Sequence, residues 1–231
     1  MSSPIANSTP TTLQQLLVGF HQLSAHTNRI AKLSAAIATC INEIFSGSER
    51  TILALDVGCG DMTMAETLAA GDPRLCWTCT DIHELPPHLR STEKWKNYRR
   101  FDGENLPFEN ESFDLVLFSD VLHHCYPSAL QLLREAGRTA RHIIVKDHFE
   151  AGLISRQTLR LLDFIGNYGY GVSIPEQYFD AVRFEALVRE AGLKIAKMNH
   201  GLNLYPFPLS VFLRPSLQFI AVLERSSREE P

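Results

Sequence analysis

Hydrophobic and polar positions follow two patterns along this chain, short apolar runs and helical spacing, and together they predict strands that alternate with helices. Short apolar runs bounded by turn residues predict buried strands at 52–57, 75–80, 115–118 and 142–146. Helical spacing predicts helices at 62–70, 127–136 and 181–191, with a glycine as the stop after each: Gly71, Gly137 and Gly192. This alternation is typical of an α/β domain built on a parallel sheet.

Both ends of the chain add elements to this pattern. Apolar residues at helical spacing over 13–23 and 30–45 predict two helices, or one interrupted helix, before the first strand. Residues 194–200 and 217–223 predict the last two strands.

A glycine-rich turn follows the first strand. Gly58 and Gly60 stand one residue apart, where bare backbone lets a ligand approach and the next helix N-terminus offers N–H donors. Asp56 lies at the end of the strand and faces the same ligand-binding side of the turn. Thr63 occupies the third glycine position of a GxGxxG motif, so the turn alone is a weak signal.

Three further motifs follow in order. Asp81 ends the second strand about 20 residues after the glycines, an offset from which a carboxylate can reach ribose hydroxyls. Residues 102–108 read DGENLPF, and residues 112–124 read SFDLVLFSDVLHH. Four motifs in this order and spacing are far more specific than any one of them.

The chain resembles the class I S-adenosylmethionine-dependent methyltransferases, in particular the small-molecule group, over roughly residues 53–147. The resemblance implies a Rossmann-like, mostly parallel seven-stranded sheet with helices on both faces and an antiparallel hairpin at one edge. It also implies S-adenosyl-L-methionine as cofactor. In this family an N-terminal helical segment often packs beside the cofactor and closes over the substrate, although plain core cover is the alternative here. By position, the methionine part would contact Asp56, Gly58 and Gly60, the ribose Asp81, the adenine Asp102 with the Gly103 backbone, and the sulfonium side Ser119.

Two departures from the family pattern stand out. Asp61 and Met62 replace a small residue and a glycine after GCG, which could alter cofactor affinity. A Pro-Gly-Gly turn before strand five is absent, and residues 137–141 take its place.

Two alternatives to an active methyltransferase stay open. A nicotinamide dinucleotide enzyme shares the fold class, but it usually needs the full GxGxxG for a pyrophosphate and does not explain residues 102–108. A non-catalytic methyltransferase-like interaction protein would keep the fold, yet the intact cofactor residues argue against it.

Residues 149–180 depart from a minimal methyltransferase. Helical spacing over 153–165 is followed at 166–175 by glycines that alternate with aromatic residues. Because this insertion leaves the carboxyl end of strand five, where open α/β sheets bind ligands, we expect it to cap the substrate. The expected substrate-binding residues are Tyr168, Tyr170 and Tyr178, although a surface loop whose tyrosines cover the core is the alternative.

One methyltransferase domain then accounts for the whole chain. Its parts are an N-terminal helical cover (12–46), a cofactor-binding core (50–148), the substrate-cap insertion (149–180) and a C-terminal helix and hairpin (181–231). The expected acceptor is a small molecule of aromatic or acyl character, methylated on oxygen or carbon.

A general base is needed only where the acceptor is a hydroxyl or a carbon. The expected base is His148, after strand five, and then His124, after strand four. His123 is expected to hydrogen-bond locally at a helix start. Since adjacent strand residues point apart, Asp147 could orient His148 only if the chain bends there. A carboxylate acceptor would need none of these residues.

Composition agrees with a single compact enzyme. The 231 residues, 45% of them hydrophobic, suffice for one α/β domain, and a net charge of -4 gives no basic field for nucleic acid. Five cysteines with no secretory leader before them indicate reduced thiols in a cytoplasm. Cys76 and Cys79 form a CxxC spacing, but three residues apart in a strand they face opposite ways, so no metal site is expected. No apolar run approaches the roughly 18 residues of a membrane span.

Overall fold

Seven strands form one sheet in the computed structural model, which describes residues 26–85, 89, 96–150, 179–205, 210 and 214–226. The strands are β1 (Ile52–Val57), β2 (Leu75–Asp81), β3 (Tyr98–Arg100), β4 (Phe113–Ser119), β5 (Ala140–His148), β6 (Leu193–His200) and β7 (Gln218–Arg225). Their order is β3-β2-β1-β4-β5-β7-β6. Strands β1 to β5 pair in parallel, whereas β7 pairs antiparallel with both β5 and β6. The expected Rossmann-like sheet with an edge hairpin is confirmed.

Helices cover the sheet on both sides. The described α-helices are α1 (His26–Ile44), α2 (Thr63–Gly71), α3 (Ala129–Thr139) and α4 (Ala181–Glu190), with 3-10 turns at Leu122–His124 and Pro215–Leu217. Alternate residues of β1 join different apolar clusters: Ala54 packs with residues of α1 and α2, and Leu55 packs with residues of α3 and α4. Because adjacent strand residues face opposite sides, the two clusters are the two faces of the sheet.

The observed helix ends correct two glycine predictions. Gly71 is the last residue of α2, and Gly137 lies inside α3, which begins at Ala129 rather than at residue 127. A Cβ atom on Gly137 would lie 3.0 Å from Cδ2 of Leu193, so this glycine allows β6 to pack closely against α3. Gly192, with φ of 76°, does end α4 as predicted.

The N-terminal prediction is confirmed in its second block, which forms α1. Leu33, Ile37 and Ile41 on this helix are fully buried, so α1 is part of the core. The first block, at 13–23, lies outside the described residues, as do residues 151–178 of the insertion with Tyr168, Tyr170 and Tyr178.

The prediction that Cys76 and Cys79 face opposite sides of their strand is confirmed, because Cys76 is exposed while Cys79 is buried. All five cysteines are free thiols. Within the described residues, none of the helices has the length and apolar character that a membrane span requires.

Candidate active site

The predicted site residues meet at one edge of the sheet. Asp56, Asp81, Ser119 and His148 are at or next to the carboxyl ends of β1, β2, β4 and β5. These strands are parallel neighbours, so their ends form a continuous edge where ligands bind in open α/β folds. The structure therefore brings together the cofactor and base candidates that lie within the described residues.

The glycine turn after β1 is held in a conformation that side chains disfavour. Gly58 and Gly60 have φ of 73° and 53°, and the Gly58 N–H donates to the Thr80 carbonyl at 2.8 Å. A Cβ atom on Gly58 would lie only 2.6 Å from Cγ2 of Val121. The turn is thus wedged between β2 and the segment after β4, and only glycine fits there.

Asp61 and Met62 form the turn that leads into α2. Met62 adopts a left-handed φ of 68° just before the helix, and Oδ1 of Asp61 accepts the Thr63 N–H at 3.0 Å. A side chain therefore occupies one of the N–H donors that this helix end would otherwise offer.

Asp56 is a buried acid, and one of its carboxylate oxygens lacks a hydrogen bond within the described residues. That oxygen, Oδ2, is itself buried. Burial raises the pKa of Asp56 to about 7, and the nearby charges of Asp81 and Asp61 add to the shift. A cationic donor such as an ammonium group would satisfy this oxygen, so Asp56 fits the methionine end of the expected cofactor.

Asp81 spans the turn and the strand that follows it. Its Oδ2 accepts the Gly60 N–H and its Oδ1 accepts the His83 N–H, each at 3.0 Å. The carboxylate is therefore fixed at the edge of the sheet beside the glycine turn, as a ribose contact requires.

Asp102 shapes its own turn. Its carboxylate accepts the Asn105 side-chain and backbone N–H groups at 2.9 and 2.7 Å and the Glu104 N–H at 2.8 Å, which lowers the pKa of Asp102 to about 2. The next residue, Gly103, has φ of 92°, and a Cβ atom there would lie 3.2 Å from Cγ2 of Ile82.

Ile82 is a candidate that the sequence reading missed. This side chain is 46% exposed although it follows the buried end of β2, and it lies against Gly103. An exposed aliphatic group beside bare backbone suits a flat ring such as adenine. The available signal was a large apolar residue placed directly after the acid that ends a strand.

His123 corrects the prediction of a local role. Its ring Nδ1 lies 2.7 Å from Oδ1 of Asp147, and its backbone N–H donates to Oδ2 at 3.3 Å. The ring centroid of His123 also lies 4.0 Å from that of His124 and 4.4 Å from that of His148. The 3-10 turn after β4 thus carries His123 onto the end of β5, 24 residues away in sequence.

The Asp147 side chain reaches His148 although the two residues are neighbours in β5. Oδ1 of Asp147 accepts the His148 backbone N–H at 2.8 Å and lies 3.5 Å from the ring Nδ1. The carboxylate folds back onto the next peptide group, which brings it level with the ring. The sequence analysis allowed this contact only where the chain bends, yet the two side chains approach each other while both residues keep their pairing with β7. Burial would raise the pKa of Asp147, but His123 and His148 keep it below its usual value.

Asp120 links this cluster to the N-terminal helix. Its carboxylate pairs with the guanidinium of Arg29 on α1 and with the ammonium of Lys146, and its Oδ1 lies 3.8 Å from Nδ1 of His148. Burial opposes ionisation, yet the charges of Lys146 and Arg29 hold the pKa of Asp120 well below its usual range.

His123, Asp147 and His148 also offer metal-ligand atoms that all lie within 4.8 Å of one another. However, Asp120 pairs with both Arg29 and Lys146, so within the described residues two cations already match the two carboxylates of this cluster. A divalent cation would add charge that nothing in this cluster compensates. The arrangement therefore favours proton handling over metal binding.

Part of this chain is similar to known methyltransferases. Residues 55–142 match the family model described as "Methyltransferase domain". The chain is 36% identical over 90 residues to phthiotriol/phenolphthiotriol dimycocerosates methyltransferase 1 of Mycobacterium ulcerans, a match that covers 38% of this chain and 33% of that protein. It is 40% identical over 63 residues to the Mycobacterium leprae methyltransferase of the same description, covering 27% of this chain and 20% of that protein. The matched region thus spans no more than a third of these curated relatives.

Solved structures share the fold at low sequence identity. The carbon methyltransferase of CurJ superposes with a TM-score of 0.62 at 18% identity, over 93% of this chain and 59% of that one. The mitomycin 7-O-methyltransferase MmcR gives 0.55 at 18% identity, over 94% and 61%. A SAM-dependent methyltransferase from Aquifex aeolicus gives 0.54 at 12% identity, over 95% and 100%. Residues 55–142 are thus similar to a methyltransferase domain, and the chain shares the fold of S-adenosylmethionine-dependent methyltransferases.

Proposed function

We propose that this protein transfers the methyl group of S-adenosyl-L-methionine to a hydroxyl or carbon acceptor on a small molecule of aromatic or acyl character. The observation that carries the proposal is the buried His123, Asp147 and His148 cluster beside the cofactor edge of the sheet. A small-molecule acceptor is supported by the names of similar proteins. These include a mycobacterial dimycocerosates methyltransferase, a mitomycin 7-O-methyltransferase and a carbon methyltransferase. We place the protein in the cytoplasm on the strength of its free thiols.

The candidate cofactor residues would contact different parts of the cofactor along the carboxyl edge of the sheet. Asp56 would accept from the ammonium group, Asp81 would accept from the ribose hydroxyls, and the Gly103 backbone with Ile82 would contact the adenine. Ser119 would form the wall beside the sulfonium. When bound, the cofactor supplies an electrophilic methyl group, so the protein chiefly positions the acceptor and excludes water.

His148 is the proposed base. Its Nδ1 lies 3.5 and 3.8 Å from carboxylate oxygens of Asp147 and Asp120, which would stabilise the ring when it takes the acceptor proton. Asp147 would hold the ring in place and stabilise the imidazolium that forms, and His123 would steady Asp147 from the other side. His124, which lies against His123, is the second candidate.

The insertion is proposed to cap the acceptor through Tyr168, Tyr170 and Tyr178. Its two ends support this placement, because Phe149 pairs with Phe179 and the Glu150 N–H donates to the Phe179 carbonyl at 2.8 Å. The segment therefore leaves the sheet edge next to His148 and returns to the same place.

Two measurements test the proposal. Calorimetry with S-adenosylhomocysteine should give a defined dissociation constant, whereas a non-catalytic interaction protein or a nicotinamide enzyme need not bind it. Methyl-labelled S-adenosylmethionine should then label members of a panel of phenols and acyl compounds, and the label should depend on His148. Tight binding of NADH with none of S-adenosylhomocysteine would overturn the assignment.

A further inference from the structure

Arg29 joins three segments above the acceptor side of the site. It lies on α1, its Nη2 pairs with the carboxylate of Asp120 after β4, and its Nε donates to the Tyr205 hydroxyl at 2.9 Å. Its guanidinium also lies 5.8 Å from the centre of the Tyr205 ring. Only 17% of the Arg29 side chain is exposed, so these contacts are made largely away from water.

Asp120 is held in a backbone conformation that non-glycine residues seldom adopt. Its φ is 57°, and its N–H donates to the Lys146 carbonyl at 2.9 Å. The side chain then accepts from Arg29 on one oxygen and from Lys146 on the other. The oxygen shared with Lys146 is the one that lies 3.8 Å from Nδ1 of His148.

The charges around His148 come from several elements. Within the described residues, Asp147 on β5 and Asp120 after β4 are the nearby carboxylates, the tilted ring of His123 lies 4.4 Å away, and Glu150 follows just after the end of β5. On β7, the register partner Gln218 is uncharged. Lys146 and Arg29 reach the ring through Asp120, so Arg29 supplies one of the two cations that offset the carboxylates.

We propose that Arg29 is a positioning residue for His148, which fixes the Asp120 carboxylate and thereby sets the proton occupancy of the histidine ring. With Arg29 in place, Asp120 is shared between two cations and attracts an imidazolium proton weakly. Without Arg29, Asp120 keeps only Lys146 and the cluster gains one negative charge, which favours the protonated ring. A protonated ring cannot accept a proton, so the packing of α1 controls whether His148 is ready to act as a base.

The ring itself can be observed without any acceptor, which separates this inference from the proposed function on which its catalytic consequence rests. NMR titration of histidine ring protons in the full chain, with His148 assigned by the signal lost in His148→Asn, gives its titration midpoint. Arg29→Gln should raise that midpoint by about 0.5 to 1 pH unit, as expected for one charge removed at short range in a partly buried site. Arg29→Lys, which restores the charge, should return the midpoint most of the way.

Arg50→Gln is the matched control, because Arg50 pairs bidentately with Asp114 at the amino end of β4, whereas Asp120 follows its carboxyl end. It should leave the His148 midpoint unchanged. If Arg29→Gln does not fold, Tyr205→Phe removes one anchor of the guanidinium while keeping its charge, and a smaller upward shift is expected. An unchanged midpoint in folded Arg29→Gln, or in Tyr205→Phe where it must stand in, would overturn the inference even if methyl transfer is confirmed.

Discussion

The ring Nδ1 of His123 lies 2.7 Å from Oδ1 of Asp147, and each side chain is about 1% exposed. The same carboxylate also contacts His148, so one buried acid serves two imidazole rings. A buried carboxylate is tolerated only where it is paired and hydrogen-bonded, and these two histidines provide that pairing.

Asp147→Asn tests how much the fold depends on this sharing. We expect the free energy of unfolding to fall by about 1 to 3 kcal/mol at pH 7, because an amide cannot accept equally from both partners. The pKa of Asp147 is lowered in the folded state, so its contribution is present above the unfolded value and is lost as pH falls through the folded value. Urea denaturation at pH 7 and pH 3 should therefore show a smaller difference at pH 3.

Asp114→Asn is the control for this experiment. Asp114 pairs with the exposed Arg50, and an ion pair of that kind typically contributes less than about 1 kcal/mol. If the two variants lost the same free energy of unfolding, the buried contact between His123 and Asp147 would contribute no more than an exposed ion pair.

His148→Ala asks what the acceptor is. If the acceptor is a hydroxyl or carbon that relies on this base, kcat should fall by about 10²-fold or more, with partial recovery as pH rises. His124→Ala should cost less, because the contact that the structure shows for His124 is with the His123 ring. Steady-state kinetics with a labelled acceptor measure both effects. A normal rate in His148→Ala would point to a carboxylate acceptor or to another base.

Much of the fold follows from local patterns in the sequence. All strands but β3 were predicted from their residue patterns, and the glycine turn was predictable because Gly58 needs a positive φ. Strand β3 (Tyr98–Arg100) was missed, because it is short and two of its three residues are arginines. The contact between His123 and Asp147 was not, because it depends on how β4 and β5 register side by side.

Gly137 and Arg29 illustrate the same limit. Gly137 was read as a helix stop, whereas its role is to admit Leu193, which lies far along the chain. Nothing around Arg29 in the sequence indicates that it pairs with Asp120, 91 residues away. Both roles depend on tertiary packing, which local periodicity does not encode.

Asp56 should make cofactor binding depend on pH. Because its pKa is raised to about 7, the free protein holds this proton below pH 7, and a bound ammonium group would favour the ionised form. Binding should then release a proton at acidic pH, so affinity should rise as pH increases toward 7 and level off above it. We expect S-adenosylhomocysteine to bind about tenfold more tightly at pH 8 than at pH 6.

Calorimetry in buffers of different ionisation enthalpy would detect that proton directly. In Asp56→Asn, binding should be weaker and its dependence on pH should largely disappear. Proton release that persists in this variant would assign the effect to another group.

Asp81→Ala tests the ribose contact. Removing a charged acceptor from two hydroxyls should weaken cofactor binding by roughly 1.5 to 3 kcal/mol. The variant also leaves the Gly60 N–H without its side-chain acceptor, so Asp81→Asn serves as the companion that keeps an oxygen there. An unchanged dissociation constant in a well-folded Asp81→Ala protein would contradict the ribose assignment.

The aromatic residues of the insertion give the test of acceptor binding. Phe149 pairs with Phe179, so the two ends of this segment lie together just after His148. Tyr168→Ala or Tyr170→Ala should therefore raise the acceptor KM or lower kcat while the affinity for S-adenosylhomocysteine stays nearly constant. A residue at the rim should cost less than about tenfold, and a ring stacked on an aromatic acceptor contributes about 0.5 to 1.5 kcal/mol beyond its buried area. Tyr168→Phe and Tyr170→Phe keep the ring, so they should retain most of the activity if stacking is the contact. Normal turnover in both alanine variants would make the segment a cover for the core and move the acceptor pocket elsewhere.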